Sequence, residues 1–515
     1  MNQKNRRVFI YFLPLLIAVP LLVSCQINIP TSSENTARSA IKQSRGADID
    51  AELRNLIALN QLTGDPSTNR DLPAIDTPLA QLGKKLFFTK ALGGDMDVAC
   101  VSCHHPLLGG GDDLALSIGI GAHTPDLLGP GRTHVSGRPN VPRNAPTTFN
   151  IGMWDQVLFW DGRVESLGKT VGQNGADGVG IRTPDVAFGV ADPNAGADLV
   201  IAQSRFPVTS RDEMRGYEFA DIGGNDEVRQ QLAMRISQSD ELTTEQLARV
   251  QTTNDKWNHQ FWEVFGAADE SGQYINEQRI ATALAAYERS QIFVDTPWKA
   301  YIEGDSDALS TSAKRGARLF YNTDDAGGAN CASCHVGDFF TDEQFHLLAI
   351  PQIGDGKEDD IVGADRGRFR ETKLLTDLYT FRTPTLLNVA VTGPYGHNGA
   401  FSTLEGIIRH HLDPIESCNT YDMTQIDPAI PVENIQENTL AVIAQLERNR
   451  AEEEDMIQNV SLSDSEVADL VAFMQSLTDP CVEDAACLAP WIIAEEERGP
   501  TSQFLFAQIP SIEGE

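Results

Sequence analysis

Two stretches carry unusual chemistry: Cys100-Val101-Ser102-Cys103-His104 and Cys331-Ala332-Ser333-Cys334-His335. Each reads Cys-x-x-Cys-His. Two thiols one turn apart can bond to the vinyl groups of a porphyrin, and the adjacent histidine can ligate its iron, which is how c-type haem is attached. A zinc site or a thioredoxin-like redox pair also uses paired cysteines. Neither explains a histidine directly after both pairs. The residue types therefore point to two covalently bound haem c groups, on Cys100, Cys103 and His104 and on Cys331, Cys334 and His335.

The elements that position these motifs repeat. Leu82-Gly83-Lys84-Lys85-Leu86-Phe87-Phe88 leads into the first, and Arg315-Gly316-Ala317-Arg318-Leu319-Phe320-Tyr321 leads into the second. Both have the periodicity of amphipathic helices. Downstream, Pro146-Thr147-Thr148-Phe149-Asn150 is echoed by Pro384-Thr385-Leu386-Leu387-Asn388, and Asp161-Gly162 by Asn398-Gly399. Landmarks that keep step in this way argue for two tandem domains of one type. Ile280 to Arg289 reads as an alanine-rich helix. Ser310 or Ser312 can cap the helix before the second motif, and Ser463 to Glu466 opens a last helix. Strand signals are sparse, and 105–140 and 171–205 read as long loops. The fold class is mainly α: two cytochrome c-like domains, each around one haem. The divisions are a leader at 1–24, a flexible tether at 25–70, haem domains at 71–310 and 311–480, and an acidic, loosely held tail at 481–515.

The formal net charge is −33 over 515 residues. A surface this acidic argues against a nucleic acid partner, which needs basic residues, and would attract a basic carrier protein. Lys4, Arg6 and Arg7 precede an apolar run, and Leu22-Val23-Ser24-Cys25 has the look of a lipobox. This reads as a cleaved signal peptide with lipid on Cys25, exporting the body to the outer membrane, facing the periplasm. In an oxidising compartment one disulfide is expected among Cys418, Cys481 and Cys487, with the pairing open.

The ordered set of motifs resembles the bacterial di-haem cytochrome c peroxidase and MauG family, from about Leu79 to Asp479. Besides the haem motifs, the stretches that carry it are Pro142 to Asn150, Phe159-Trp160-Asp161-Gly162-Arg163, Pro207 to Met214, Ala281 to Phe320 and Phe381 to Leu404. The resemblance implies that the first haem is the working one and the second takes electrons from a small cytochrome c or cupredoxin. It implies reduction of hydrogen peroxide, with Glu213 handling protons and Trp160 relaying electrons. It implies a calcium ion held by the Asn144 side chain and the Thr392 and Pro394 carbonyls. A second copy of the chain, in a homodimer, is a further candidate partner.

Two departures from the family pattern stand out. Thr170 occupies the place of a glutamine. The distal histidine of the classical peroxidases has no collinear match, so His134, and behind it His123, are the candidates. The sixth ligand of the second haem is methionine in classical members and tyrosine in MauG-like ones. The matching position here, fourteen residues after His397, is His411. The leading reading is a peroxidase. Its rivals are a MauG-like enzyme that oxidises side chains of a partner protein, and a di-haem electron carrier without catalysis.

Overall fold

A computed structural model describes residues 49–238, 257–270, 272–357, 363–452, 457–498, 504–505 and 507–510. The leader, the lipobox and Cys25 lie outside the described residues. Helix α1 spans Ile49–Leu59 and α2 spans Pro78–Phe88. Thr77 caps α2 by accepting from the Ala80 N–H, with Pro78 at the first turn, where its missing N–H costs nothing. Helix α3 is Glu277–Arg289, α4 is Thr311–Tyr321, α5 is Leu404–Leu412 and α6 is Asp464–Gln475. Ser310 caps α4, and Ser463 with Glu466 forms the capping box of α6. The strands are short. β1 (Val157–Leu158), β2 (Val164–Ser166) and β3 (Ile181–Arg182) form one antiparallel sheet with Val157 opposite Glu165 and Glu165 opposite Arg182. β4 (Phe345–His346) pairs with β5 (Phe381–Arg382).

The repeat seen in the sequence is a repeat in packing. α2 crosses α3 at Gly83, where a Cβ would stand 1.9 Å from the Ala283 carbonyl oxygen. α4 crosses α6 at Gly316, where a Cβ would stand 1.9 Å from the Asp469 carbonyl oxygen. Only glycine lets the two backbones approach so closely. Leu86, Phe87 and Val101 sit in one apolar core with Leu284 and Tyr287 of α3. Leu319, Phe320, Leu470 and Phe473 sit in a second core, around the other motif. The two halves meet at Phe293, whose carbonyl accepts from the amide Nδ2 of both Asn150 (3.0 Å) and Asn388 (2.9 Å). The equivalent asparagines of the two repeats thus converge on one atom.

Three divisions differ from the sequence expectation. Residues 49–70 are not a tether: Leu53 and Leu62 are buried in the second core, Asp50 bonds Lys314 at 2.8 Å, and Arg70 bonds Asp155 at 2.8 Å. Ile49, Leu53, Leu56 and Ile57 stand at helical spacing and pack into or against the second core, but their partners are hundreds of residues away. Val294, Trp298, Tyr301 and Leu309 also pack into the second core, ahead of residue 311. The described part of the tail is not loose. Cys481 and Cys487 form a disulfide, with Cys418 free. Beyond it the chain returns to the first half: Ile493, Phe504, Leu505 and Ile509 join the first core, and Leu505 N–H donates to Phe88 O.

Candidate functional site

Both motifs close a single 3₁₀ turn, Cys100–Ser102 and Cys331–Ser333, and each histidine N–H donates to the carbonyl of the first cysteine. Burial pushes the Cys100 and Cys103 thiols well up and the Cys331 thiol up to about 12. They are neutral, partly buried thiols, the form that adds to vinyl groups. His104 Nδ1 lies 3.1 Å from Gly110 O, and His335 Nδ1 lies 3.0 Å from Phe340 O. A carbonyl oxygen can only accept, so each Nδ1 carries the proton and each Nε2 keeps a free lone pair.

The same test sorts the other histidines. His411 Nδ1 is 2.8 Å from Ile407 O, so its Nε2 is also free. Its neighbour His410 places Nε2 2.8 Å from Leu348 O and must donate there, which takes it out of the running as a ligand. His335 and His411 face each other with ring centres 6.3 Å apart. Two imidazoles on opposite sides of one iron, with metal–nitrogen bonds of about 2 Å and about 1 Å from nitrogen to ring centre, stand roughly 6 Å apart. Burial, and then the neighbouring His411, lower His335 to about 4, so the ring is neutral. A cavity of about 480 Å³ opens between them, lined by Cys331, Cys334, Trp160 and Asn144 among others. The residues fit a haem with two histidine ligands.

His134 is held differently. Its Nδ1 accepts from the Ser136 backbone N–H at 3.1 Å, an atom that can only donate. The ring proton therefore sits on Nε2, the reverse of His104, His335 and His411, and the lone pair of Nε2 is gone. The charged groups around it are Asp212, His123, Asp97 and Arg132, none of them from the motif. It is built into its loop, pairing across a bridge with Ala122. Thr170 is exposed, with its N–H on Asp177, and does not stand where a pocket-lining group would.

Glu213 lies on a single π-helical turn, Arg211–Arg215, held against the loop after the first motif. Ile120 N–H and Asn140 Nδ2 both donate to Asp212 O, at 3.2 and 3.0 Å, and Gly119 leaves no room for a side chain beside the Glu213 backbone. The Glu213 carboxylate is within electrostatic reach of His104 and Cys103. Two titratable groups went unread in the sequence. Asp112, pushed up to about 7 by burial, is within reach of Cys103. Lys357, lowered to about 7 by burial and by Arg163 and Arg143, is within reach of Glu213. Each sits in a loop among other charged residues, which gives no pattern to find.

Trp160, Asn144, Thr392 and Pro394 line the cavity of the second motif. Trp160 Nε1 donates to Asn144 O at 3.0 Å. Asn144 Nδ2 donates to Leu114 O at 2.8 Å, so only its Oδ1 is available to a cation. Trp154 and Trp298 are buried core residues. Next to Asn144, Arg143 bonds Asp161 through Nη1 (2.6 Å) and Asp365 through Nε (2.6 Å) and Nη2 (2.8 Å). All three side chains are buried.

Residues 77–307 match the family model described as di-haem cytochrome c peroxidase. The methylamine utilization protein MauG of Methylorubrum extorquens is 27% identical over 331 residues, which is 64% of this chain and 67% of that protein. MauG of Methylophilus methylotrophus is 26% identical over 411 residues, 80% of this chain and 85% of that protein. The cytochrome c551 peroxidase of Pseudomonas aeruginosa is 25% identical over 319 residues, 62% of this chain and 67% of that protein.

Proposed function

We propose that this chain, which belongs to the di-haem cytochrome c peroxidase and MauG family and so carries two c-type haems, reduces hydrogen peroxide with electrons from a small carrier protein. The observation that carries the reading is the difference in donors between the sites. The second offers two facing imidazoles with free Nε2 atoms, His335 and His411. The first offers one, His104, with the Glu213 carboxylate within reach.

The haem groups would supply iron that changes oxidation state, the second passing electrons and the first meeting peroxide. Cys100, Cys103 and His104 would hold the first, and Cys331, Cys334, His335 and His411 the second. Two histidine ligands leave no position for substrate, so the second site is an electron port. Glu213 would take a proton from one peroxide oxygen and return it to the leaving one, the ordinary work of a carboxylate near its reacting partner. The balance is one peroxide, two electrons and two protons to two waters. Trp160 would relay electrons. Its Nε1 proton stays in place, because the Asn144 carbonyl that binds it is too weak a base to remove it. Asn144, Thr392 and Pro394 would hold calcium through oxygen atoms. The chain is exported and anchored by lipid on Cys25 at the outer membrane, facing the periplasm, where a small cytochrome c or cupredoxin is the donor. Turnover of peroxide by calcium-loaded, pre-reduced holoenzyme with such a donor tests the reading, and no turnover with any donor defeats it.

One observation favours a second reading. The Nδ1 lone pair of His134 is engaged by Ser136, and a first site without a distal imidazole is what the sequence resemblance implies for MauG-like members. On this reading the same two sites oxidise side chains of a partner protein. Mass spectrometry of proteins incubated with enzyme and peroxide separates the two: a modified partner with slow carrier turnover selects the second.

A further inference from the structure

We infer that Arg143 is a positioning residue for Trp160, clamping the indole between the two haem-bearing halves through Asp161 on one side and Asp365 on the other. The inference rests on the relay reading of Trp160 and adds the device that fixes it in place.

Two pairs of sequence neighbours meet here, Arg143-Asn144 and Trp160-Asp161. They are tied to each other twice. The indole Nε1 of Trp160 donates to Asn144 O at 3.0 Å, and Arg143 Nη1 donates to Asp161 Oδ2 at 2.6 Å. The first bond sets the direction of the ring. The second sets the distance between the two backbones. Two bonds between adjacent pairs leave the indole no free rotation, since turning about its side-chain bonds breaks the first and shifting the backbone breaks the second.

The same pair is also tied twice to the other half. Arg143 makes a two-pronged bond to Asp365, Nε to Oδ2 at 2.6 Å and Nη2 to Oδ1 at 2.8 Å. Asn144 N–H donates to His397 O at 3.0 Å. The guanidinium therefore spans the halves, with one carboxylate from each. Arg163 adds a bond to the other oxygen of Asp161 at 3.3 Å. Other bonds hold the hairpin backbone to the second half: Arg382 N–H to Trp160 O, and Arg368 Nη1 to Gly162 O. They fix the main chain and leave the ring's direction to the Asn144 carbonyl, which Arg143 steadies.

Stability does not explain this cluster. Burying an ion triad costs about as much desolvation as its attraction returns, and apolar residues of the same volume serve as well. What an apolar trio lacks is direction. The planar fork of arginine fixes two carboxylates at set angles, a property lysine does not share. A relay needs that property, because a displacement of about 1 Å in a reacting geometry can change a rate by up to about 10²-fold.

The test measures the rate at which an electron placed on the second haem by flash photoreduction reaches the first, in holoenzyme. The variants are Asp365→Asn, Arg143→Lys, Trp160→Phe and the double variant Trp160→Phe/Asp365→Asn. Haem content and the midpoint potentials of both haems report whether the sites are otherwise intact. Asp365→Asn is expected to slow transfer by about tenfold with both potentials unchanged, and Arg143→Lys to act in the same direction. In the Trp160→Phe background, Asp365→Asn should slow transfer no further, the mark of two residues acting through one another. Equal slowing in both backgrounds would mean a general loosening and overturn the inference. So would an unchanged rate in both Asp365→Asn and Arg143→Lys. If Trp160→Phe alone leaves the rate unchanged, the relay reading itself fails, a different result from the other two.

Discussion

Replacing His411 by alanine isolates the arrangement at the second site. The ring centres of His335 and His411 are 6.3 Å apart. The separation required by one metal between two imidazoles, from bonds of about 2 Å each and the offset of each ring centre, is roughly 6 Å. The two rings already stand at this separation, so the wild-type second haem should be six-coordinate and low-spin in both oxidation states. Without the ring a gap opens that His410 cannot fill, since it is buried and its Nε2 donates to Leu348 O. The variant should show a high-spin second haem by electron paramagnetic resonance and optical spectroscopy, and added imidazole should restore the low-spin spectrum. Its midpoint potential should rise by on the order of 100 mV, part of the roughly 0.8 V over which axial ligands tune haem. A His411→Ala protein whose second haem stays low-spin without imidazole would refute the reasoning, because another residue would then hold the sixth position.

Glu213→Gln keeps shape and removes the proton acceptor, so peroxide turnover should fall about 10²–10⁴-fold with both haem spectra unchanged; turnover within a few-fold of wild type would remove Glu213 from proton transfer. Glu288 is buried on α3, and burial with the nearby Asp198 raises its carboxyl from 4.5 to about 8. Below about 4.5 its contribution to stability is fully present, and it is lost as pH rises to about 8, because the unfolded chain releases a proton that the folded chain still binds. Glu288→Gln should abolish this slope, a difference on the order of 5 kcal/mol at most, and parallel urea-denaturation profiles of variant and wild type from pH 5 to 8 would refute it. Gly83→Ala and Gly316→Ala each place a Cβ 1.9 Å from a carbonyl oxygen of the facing helix. Each should cost about 1–3 kcal/mol by the same denaturation assay, although alanine is the better helix former. A variant as stable as wild type would mean that the helix pair can separate freely.

What the sequence disclosed follows from how local its signals are. The motifs, the caps at Ser310 and Ser463, and the glycines of the paired pre-motif helices are written within a turn or two of chain. The sheet is as small as the scarce strand signals implied. The folded-back start and end were hidden because their partners are remote. Leu53 packs beside Phe320, and Leu505 beside Phe88, over separations that no periodicity spans. Net negative charge made 481–515 read as loose, yet Lys84, buried on α2, reaches Glu497 at 3.1 Å and draws that stretch onto the first half. The Arg143 cluster was hidden for the same reason, since Asp365 sits in a loop of the other half with nothing local to mark it.

The histidines show where composition stops and geometry begins. His134, His410 and His411 are the same residue type, and position alone made two of them candidates for iron or proton work. One backbone atom decides each case. Ile407 O takes the proton of His411 Nδ1 and frees Nε2, Leu348 O takes the proton of His410 Nε2 and engages it, and Ser136 N–H fills the lone pair of His134 Nδ1 and leaves the proton on Nε2. A helix supplies the i−4 carbonyl at Ile407 automatically, so a histidine near a helix end facing a cavity arrives as a ligand. A histidine whose Nδ1 caps its own turn arrives with its outer nitrogen protonated. The two Cys-x-x-Cys-His motifs look equal in sequence, and the proton on one ring nitrogen is what makes the sites unequal. The second site has two free imidazole nitrogens facing each other, and the first has one, with a carboxylate within reach. On the proposed function, electron passage and peroxide chemistry would be divided between them accordingly.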